Sequence, residues 1–467
     1  PVTVPVRALA RSLVALALVC GAARAHAQAV PASLELSPAV RLALQSAALS
    51  DAERAALRLR HGTYDDGDLP DPRARAVAAL GRWDLGAPAL ADAAAPAELR
   101  AEALVRRGDA EAALALVDAP AGVRAQLVRA RALDALGRAG EAIAAAREAK
   151  RLGEQDGAPR DDRMDAVEAT ALLARLEGRP ARDWQTMLDA LAVLRDEDRL
   201  DPRPRLLEGR LLVEKDRFRE GVEALREALS RDLRSAEAMH LLGRVAVQTF
   251  DFDGARRASG MLRALGDPHV LADLLDAESA LQSRDAGAAI AALEPLERRM
   301  PTQRQALALR AAAEGMRFDD AAMETRLDAL DGLMPGSPIG HYECGRFLSL
   351  ARQYPEAAEA LGEAARRAPG WSAPIAELGL LEMQSGRDAE ALTALRRAVK
   401  LDPYDQRARH SLTLAEDLST WTRRHGVHRR HARDAHGKAL VVRVQLDDGL
   451  ARRGMADRGG NVAVHRI

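Results

Sequence analysis

The stretch Gly386 to Pro403, GRDAEALTALRRAVKLDP, sets Ala391, Leu392, Leu395 and Ala398 on one side of a helix and closes on a proline. That spacing predicts an amphipathic helix burying one stripe. The pattern recurs. Ser372–Asp405 laid beneath Pro338–Trp371 puts Gly379 under Gly345, Ala391 under Ala357, Leu395 under Leu361, Ala398 under Ala364 and Pro403 under Pro369. Earlier steps of 34 residues reach Pro335 and Pro301 at the closing place, Leu327 and Leu293 at the core leucine, and Ala311 and Ala277 where the glycines stand. Two more steps give Gly243 and Gly209, with Ala255 and Gly221 in the second helix, so six units run without a gap from 202 to 405. Each unit predicts two antiparallel helices that approach closely only where side chains are small, with Gly379 facing Ala391. The proline stops the second helix and sets the angle to the next unit. The unit 236–269 departs most, with its proline shifted to Pro268 and Ser259 in place of the leucine. It is expected to be the weak unit and to open first.

The pattern continues upstream with looser spacing. Arg107-Gly108-Asp109-Ala110, Leu136-Gly137-Arg138-Ala139 and Glu177-Gly178-Arg179-Pro180 each read as an inter-helix turn opening a second helix. The array resembles the tetratricopeptide repeat, a 34-residue helix-turn-helix with small residues at its eighth, twentieth and twenty-seventh places and proline at its thirty-second. The resemblance implies an all-α fold, a right-handed superhelical solenoid of antiparallel helix pairs. The expected organisation is a helical N-terminal cap over 28–93, irregular repeats over 94–201, six regular repeats over 202–405, a capping helix over 406–420 and a basic tail over 421–467.

Composition agrees with helices. The chain is 48% hydrophobic but only 3% aromatic, so alanine and leucine supply most of the apolar surface, whereas strands favour β-branched and aromatic residues. The formal net charge of -1 hides a division, because residues 421–467 carry eleven Lys/Arg against four Asp, leaving the body acidic. At the N-terminus, Arg7 and Arg11 precede the apolar run SLVALALVCGAA, which is too short to span a bilayer as a helix, and Ala25-His26-Ala27 gives a small-x-small cleavage pattern before Gln28. Residues 1–27 are therefore expected to be a cleaved export signal, placing the mature chain in the periplasm or cell envelope of a bacterium. Removing them leaves Cys344 as the one cysteine, which excludes an intramolecular disulfide framework in the mature chain. Beyond residue 27 no run of eighteen apolar residues predicts a membrane-spanning helix.

Catalytic patterns are nearly absent. The sequence has no His-Glu-x-x-His, Gly-x-Ser-x-Gly, GxxxxGK or CxxC. His341 and Cys344 share a helix face, but a cysteine filling a small buried site explains the pair better than a thiolate nucleophile. Acidic pairs such as Asp319-Asp320 sit at inter-helix turns, where they cap the following helix. In the tail, His425, His428, His431 and His436 lie among arginines, without the acidic or thiol ligands of a metal site and with only Trp421 to stack a base. The tail reads as a disordered basic segment, or as carrying a lone strand, KALVVRVQLDD, of a following domain. No cofactor, metal or nucleic acid is expected.

An array that does not catalyse binds. The resemblance assigns the concave wall to the first helices and carries the groove onto Arg203, Leu206, Arg210, Val213, Glu237, His240, Arg244, Val247, Leu271, Leu274, Glu278 and Leu281. Further along the same places are Ile339, Tyr342, Arg346 and Ser349, then Ala373, Ala376, Leu380 and Met383. Arg203, Leu206, Arg210, His240, Arg244, Leu274, Glu278, Tyr342, Arg346 and Leu380 form the expected peptide groove, suited to a protein or peptide with apolar side chains and carboxylates. The carboxylate clamp that some members of the family use for chaperone tails needs groove asparagines, and residues 1–460 contain none. The expected function is thus a non-enzymatic exported scaffold. The alternative is the binding arm of a larger exported enzyme, for example a zinc peptidase, whose catalytic module is absent from this sequence.

Overall fold

A computed structural model describes residues 29–424 apart from 66, 68, 70 and 180, together with two short strands at 428–432 and 441–445. The expected export signal and most of the basic tail lie outside the described residues.

The described chain is helical almost throughout. Four helices, α1 (Pro38–Leu44), α2 (Asp51–Arg60), α3 (Pro72–Arg82) and α4 (Pro88–Ala91), precede the array. Three irregular pairs follow: α5 (Ala97–Arg107) with α6 (Ala110–Leu116), α7 (Val123–Ala135) with α8 (Ala139–Gly153), and α9 (Arg160–Leu176) with α10 (Trp184–Glu197). The six regular pairs are α11 (Arg203–Glu214) and α12 (Phe218–Leu229), α13 (Ala236–Gln248) and α14 (Phe252–Leu265), α15 (Val270–Gln282) and α16 (Ala286–Arg299), α17 (Arg304–Met316) and α18 (Asp320–Leu333), α19 (Ile339–Leu350) and α20 (Tyr354–Arg367), and α21 (Ser372–Gln384) and α22 (Asp388–Leu401). The last helix, α23, runs Gln406–Arg424, past the expected end at 420. The tail is not wholly irregular. His428–Ala432 pairs antiparallel with Val441–Gln445, so the expected lone strand finds a partner inside the tail; the β-branched run Val441, Val442, Val444 suits that extended ribbon.

Each pair is made by one repeated turn. Asp216, Phe250, Arg284, Phe318, Arg352 and Gly386, spaced by 34 residues, all have positive φ, from 54° to 83°. This left-handed residue reverses the chain between first and second helix, and Asp251, Asp285 and Asp319 then cap the second helix through bonds to the backbone amides of Gly254, Ala288 and Ala322. The small residues of the first helices sit under leucines. A Cβ placed on Gly209, Gly345 or Gly379 would lie 2.6, 2.5 or 2.7 Å from Leu225, Leu361 or Leu395. Gly379 thus packs under Leu395, sixteen residues on, rather than facing Ala391. In the unit 236–269 that leucine is the buried Ser259, and Gly243 is covered by Leu275 of the following unit, 2.5 Å from where a Cβ would stand. With Met239, Leu242, Val245 and Val247 all buried, α13 lies inside the largest apolar core. The packing therefore removes the reason to expect this unit to open first.

The array also winds back onto itself. His61 Nδ1 meets the Arg231 carbonyl at 2.6 Å and His269 Nε2 donates to that of Arg82 at 2.8 Å. Thr302 Oγ1 donates to the Gly108 carbonyl at 3.4 Å, and Gly137 touches Pro335. Gly178 lies so close to Gly370 that a Cβ there would stand 1.7 Å from the Gly178 carbonyl oxygen. At the far end Lys215 pairs with Asp402 out of solvent, Gln406 N donates to the Lys215 carbonyl at 2.9 Å, Arg407 reaches Asp216 at 3.0 Å, and Tyr404 stacks on Trp184. The pairs Arg82–His269, Gly108–Thr302, Lys215–Asp402 and Asp216–Arg407 are 187 to 194 residues apart, so between five and six units complete one superhelical turn. These contacts form a seam where one turn rests on the next. The segment expected to be an end cap is part of it, resting through Ala29, Ser37, His61 and Arg82 on residues 226–269.

Candidate functional site

The first helices face inward, and their polar residues surround a cavity of about 450 Å³. Seven of them, α5, α7, α9, α11, α13, α15 and α17, supply its wall, together with Trp83. The ring closes where the turn after α5 meets the start of α17, at the Gly108–Thr302 contact. The cavity is the lumen of one superhelical turn.

Five of the ten expected groove residues line it: Arg210, His240, Arg244, Leu274 and Glu278. Arg210 lies 2.9 Å from Glu237 and 3.7 Å from Glu168. Arg244 donates to Glu278, and so does Arg346, each at 3.1 Å; Arg346 also reaches Glu343 at 2.7 Å. Arg203 is at the start of α11, bound to Asp201 and Asp161. Leu206 packs on the main core, Tyr342 lies on Trp371 with ring centres 4.6 Å apart, and Leu380 is half-buried; none of these three borders the cavity. Val213, Val247 and Leu281, also placed on the wall by the resemblance, are buried in the core. They sit three residues past the inward-facing Arg210, Arg244 and Glu278, a rotation of about 60° at 3.6 residues per turn, and Val213 lies against Gly221 of the second helix.

The other half of the lumen comes from the irregular units. Glu102, 2% exposed, accepts from Arg106 at 2.5 Å and Arg124 at 2.6 Å. Arg131 pairs with Glu168 and lies 3.6 Å from Glu102. The 34-residue register does not reach these residues, yet a simpler signal does. Arg210, Arg244, Glu278 and Arg346 each stand six residues before a left-handed turn residue, and counting back six from Gly108 and Gly137 gives Glu102 and Arg131.

The lumen is thus an ionic ladder passing from helix to helix. Burial alone would raise its carboxyl groups, but the arginines outweigh it. Arg124, Arg106 and Arg131 hold Glu102 well below the usual carboxylate range, and Arg244 and Arg346 bring Glu278 down to about 2. His240 is lowered to about 4 by burial and by Arg244, so it is neutral at pH 7. Its Nδ1 donates to the Leu271 carbonyl at 3.2 Å, which leaves Nε2 as the acceptor. The wall carries five arginines and four glutamates, and Asp165 beside it accepts from Arg124 at 2.8 Å, so each arginine has a carboxylate partner; Val105, Val128, Leu241, Leu271, Leu274 and Leu309 are interleaved with them. Cys344 is fully buried, and burial pushes its thiol far up, so it fills a packing site. Among the described residues no cluster of His, Cys, Asp or Glu could hold a metal ion, and no helix is long and apolar enough to cross a membrane.

Fold and lumen together define a helix-pair solenoid with an inward-facing polar wall. The family profile described as Tetratricopeptide repeat matches residues 375–405, the greater part of the last regular unit, so this part of the array is a tetratricopeptide repeat. Among solved structures it is similar to a tetratricopeptide repeat protein from Parabacteroides merdae, with 13% identity, 56% of this chain and 98% of the other covered, and a TM-score of 0.38. It is also similar to the Cut9–Hcn1 hetero-tetramer of the APC/C, with 12% identity, 74% and 75% covered and a TM-score of 0.37. Yeast Tom70 matches with 12% identity, 82% and 96% covered and a TM-score of 0.32. No curated protein matches the chain.

Proposed function

We propose that this protein is a non-enzymatic, exported scaffold that holds an extended peptide segment of a protein partner in its lumen. The observation that carries the reading is the cavity wall, where leucines and valines alternate with arginine–carboxylate pairs. A segment with apolar side chains and a carboxylate would bury the former and join the latter to the arginines of the ladder. Export rests on the N-terminal pattern ending at Ala27. The test is a display library of apolar and acidic peptides panned against the full chain. Enrichment is expected, and Leu274→Arg, which sets an unpaired charge in the lumen, should change or abolish it. Enrichment indifferent to Leu274→Arg would place binding elsewhere. Recovery from cells of a chain with an intact N-terminus would remove the export claim.

A further inference from the structure

A lumen closed by the chain itself raises the question of how a polypeptide enters it. We infer that the seam is a lateral gate, parting along Gly108–Thr302, Gly137–Pro335, Gly178–Gly370 and Lys215–Asp402 to admit an internal segment of a folded partner from the side. This rests on the reading of the lumen as a peptide site.

The seam differs in kind from the contacts within the array. Neighbouring units share continuous helix packing with buried leucines and alanines. Across the seam three successive contacts are made by glycine against a threonine, a proline and another glycine. Such contacts bury almost no apolar side chain, so parting them forfeits little, while every unit keeps its neighbours. The glycines are there for closeness. The equivalent turn position takes Phe250, Arg284, Phe318 and Arg352 in the regular units, so the left-handed backbone alone does not demand glycine. At Gly108 and Gly137 a Cβ would stand 2.7 and 2.8 Å from Thr302 and Pro335. The seam is held at both ends: at the N-terminal end by His61 on the Arg231 carbonyl, His269 on the Arg82 carbonyl and an apolar core that joins Leu80 and Leu99 to Leu241 and Leu271, and at the C-terminal end by a clasp of Lys215, Asp402, Arg407, Asp216 and the Trp184–Tyr404 stack. A thin glycine edge between a packed N-terminal end and a polar C-terminal clasp is the arrangement of a gate hinged at one end and latched at the other, and an internal segment, having no free end, cannot be threaded along the axis.

The test uses the full chain with Cys20→Ser and a lumen reporter, His240→Cys; Cys344 is buried. The probe is a flexible glycine-serine polypeptide bearing one maleimide at mid-length and a folded domain fused at each end, which cannot pass along the lumen. A second probe lacks the end domains. The doubly blocked probe is expected to label His240→Cys. A disulfide between Gly108→Cys and Thr302→Cys should slow that labelling by about tenfold or more, with reductant restoring it. Because cysteine at Gly108 takes a strained backbone, a second variant loosens the clasp instead: Lys215→Gln with Asp402→Asn should speed labelling while helical content is unchanged. Labelling by the free-ended probe alone, or equal rates in locked, native and loosened chains, would overturn the gate. Neither probe relies on affinity. Gating without any peptide binding would sink the lumen reading and keep the gate, and peptide binding indifferent to the lock would do the reverse.

Discussion

At the scale of single residues, the left-handed turn separates two uses of glycine. Phe318 has φ 64° and is 76% exposed, so its side chain gains little from packing while its backbone carries the cost of the left-handed region, about 1–2 kcal/mol. Phe318→Gly is therefore expected to leave stability unchanged or raise it by about 1 kcal/mol, the relief being partly offset by glycine's greater unfolded-state entropy. Gly108→Ala has the opposite balance, with a strained backbone and a Cβ 2.9 Å from the Thr302 carbonyl oxygen, and should cost about 2 kcal/mol or more. Urea unfolding of the two variants checks both signs; a loss in Phe318→Gly would mean that its ring has a partner.

At the scale of helices, burial ranks the units differently from their sequence regularity. Helix α13 is buried at nine of its thirteen positions, whereas α18 buries Leu330 alone and α2 buries nothing. Amide exchange is expected to be fastest in α1, α2 and α18 and slowest in α13 and α15. Early exchange in α13 would restore the ranking that Ser259 suggests. The register of the six regular units was legible because proline, small residue and leucine recur together, and so were the helix pairs. Which side chain crosses which was less so: Leu275 covers Gly243 from the next unit, a substitution in space that a column of aligned repeats does not display. The upstream half of the lumen was hidden because the irregular spacing before 202 broke the register that located Arg210 and Arg244. The seam left the faintest trace, since contacts between turns follow superhelical pitch rather than the 34-residue period.

At the scale of the whole molecule, buried carboxyl groups of two kinds predict the dependence of stability on pH. Burial raises Glu168 and Glu278, but their arginine partners bring both to about 2, so their contribution is present above about 4.5 and is lost as pH falls toward 2. Burial raises Asp232 and Asp405 to about 6. Their contribution is complete below about 4 and disappears as pH rises through 6, at about 1–3 kcal/mol for each group. His240, lowered to about 4 by burial, works the other way, its contribution growing as pH rises from about 4 to about 6.5, so the carboxyl effect is read on one group at a time. Asp405→Asn, which keeps an acceptor for the Ala408 amide, should gain stability at pH 8 and little at pH 4. Urea titrations of both chains at the two pH values decide it; an equal gain at pH 4 and pH 8 would contradict the assignment.

The same geometry bears on how such a chain can change by duplication. An open stack of repeats accepts another copy anywhere, since each new unit meets only its neighbours. Here Gly137 must arrive opposite Pro335 and Lys215 opposite Asp402. One more 34-residue unit inserted between 236 and 301 would leave every local contact intact and put each of these partners out of phase, as a screw with one altered thread no longer seats in its nut. The number of units within a turn is thereby fixed by contacts that no single unit contains, whereas growth beyond the last contact, past α23, carries no such restriction.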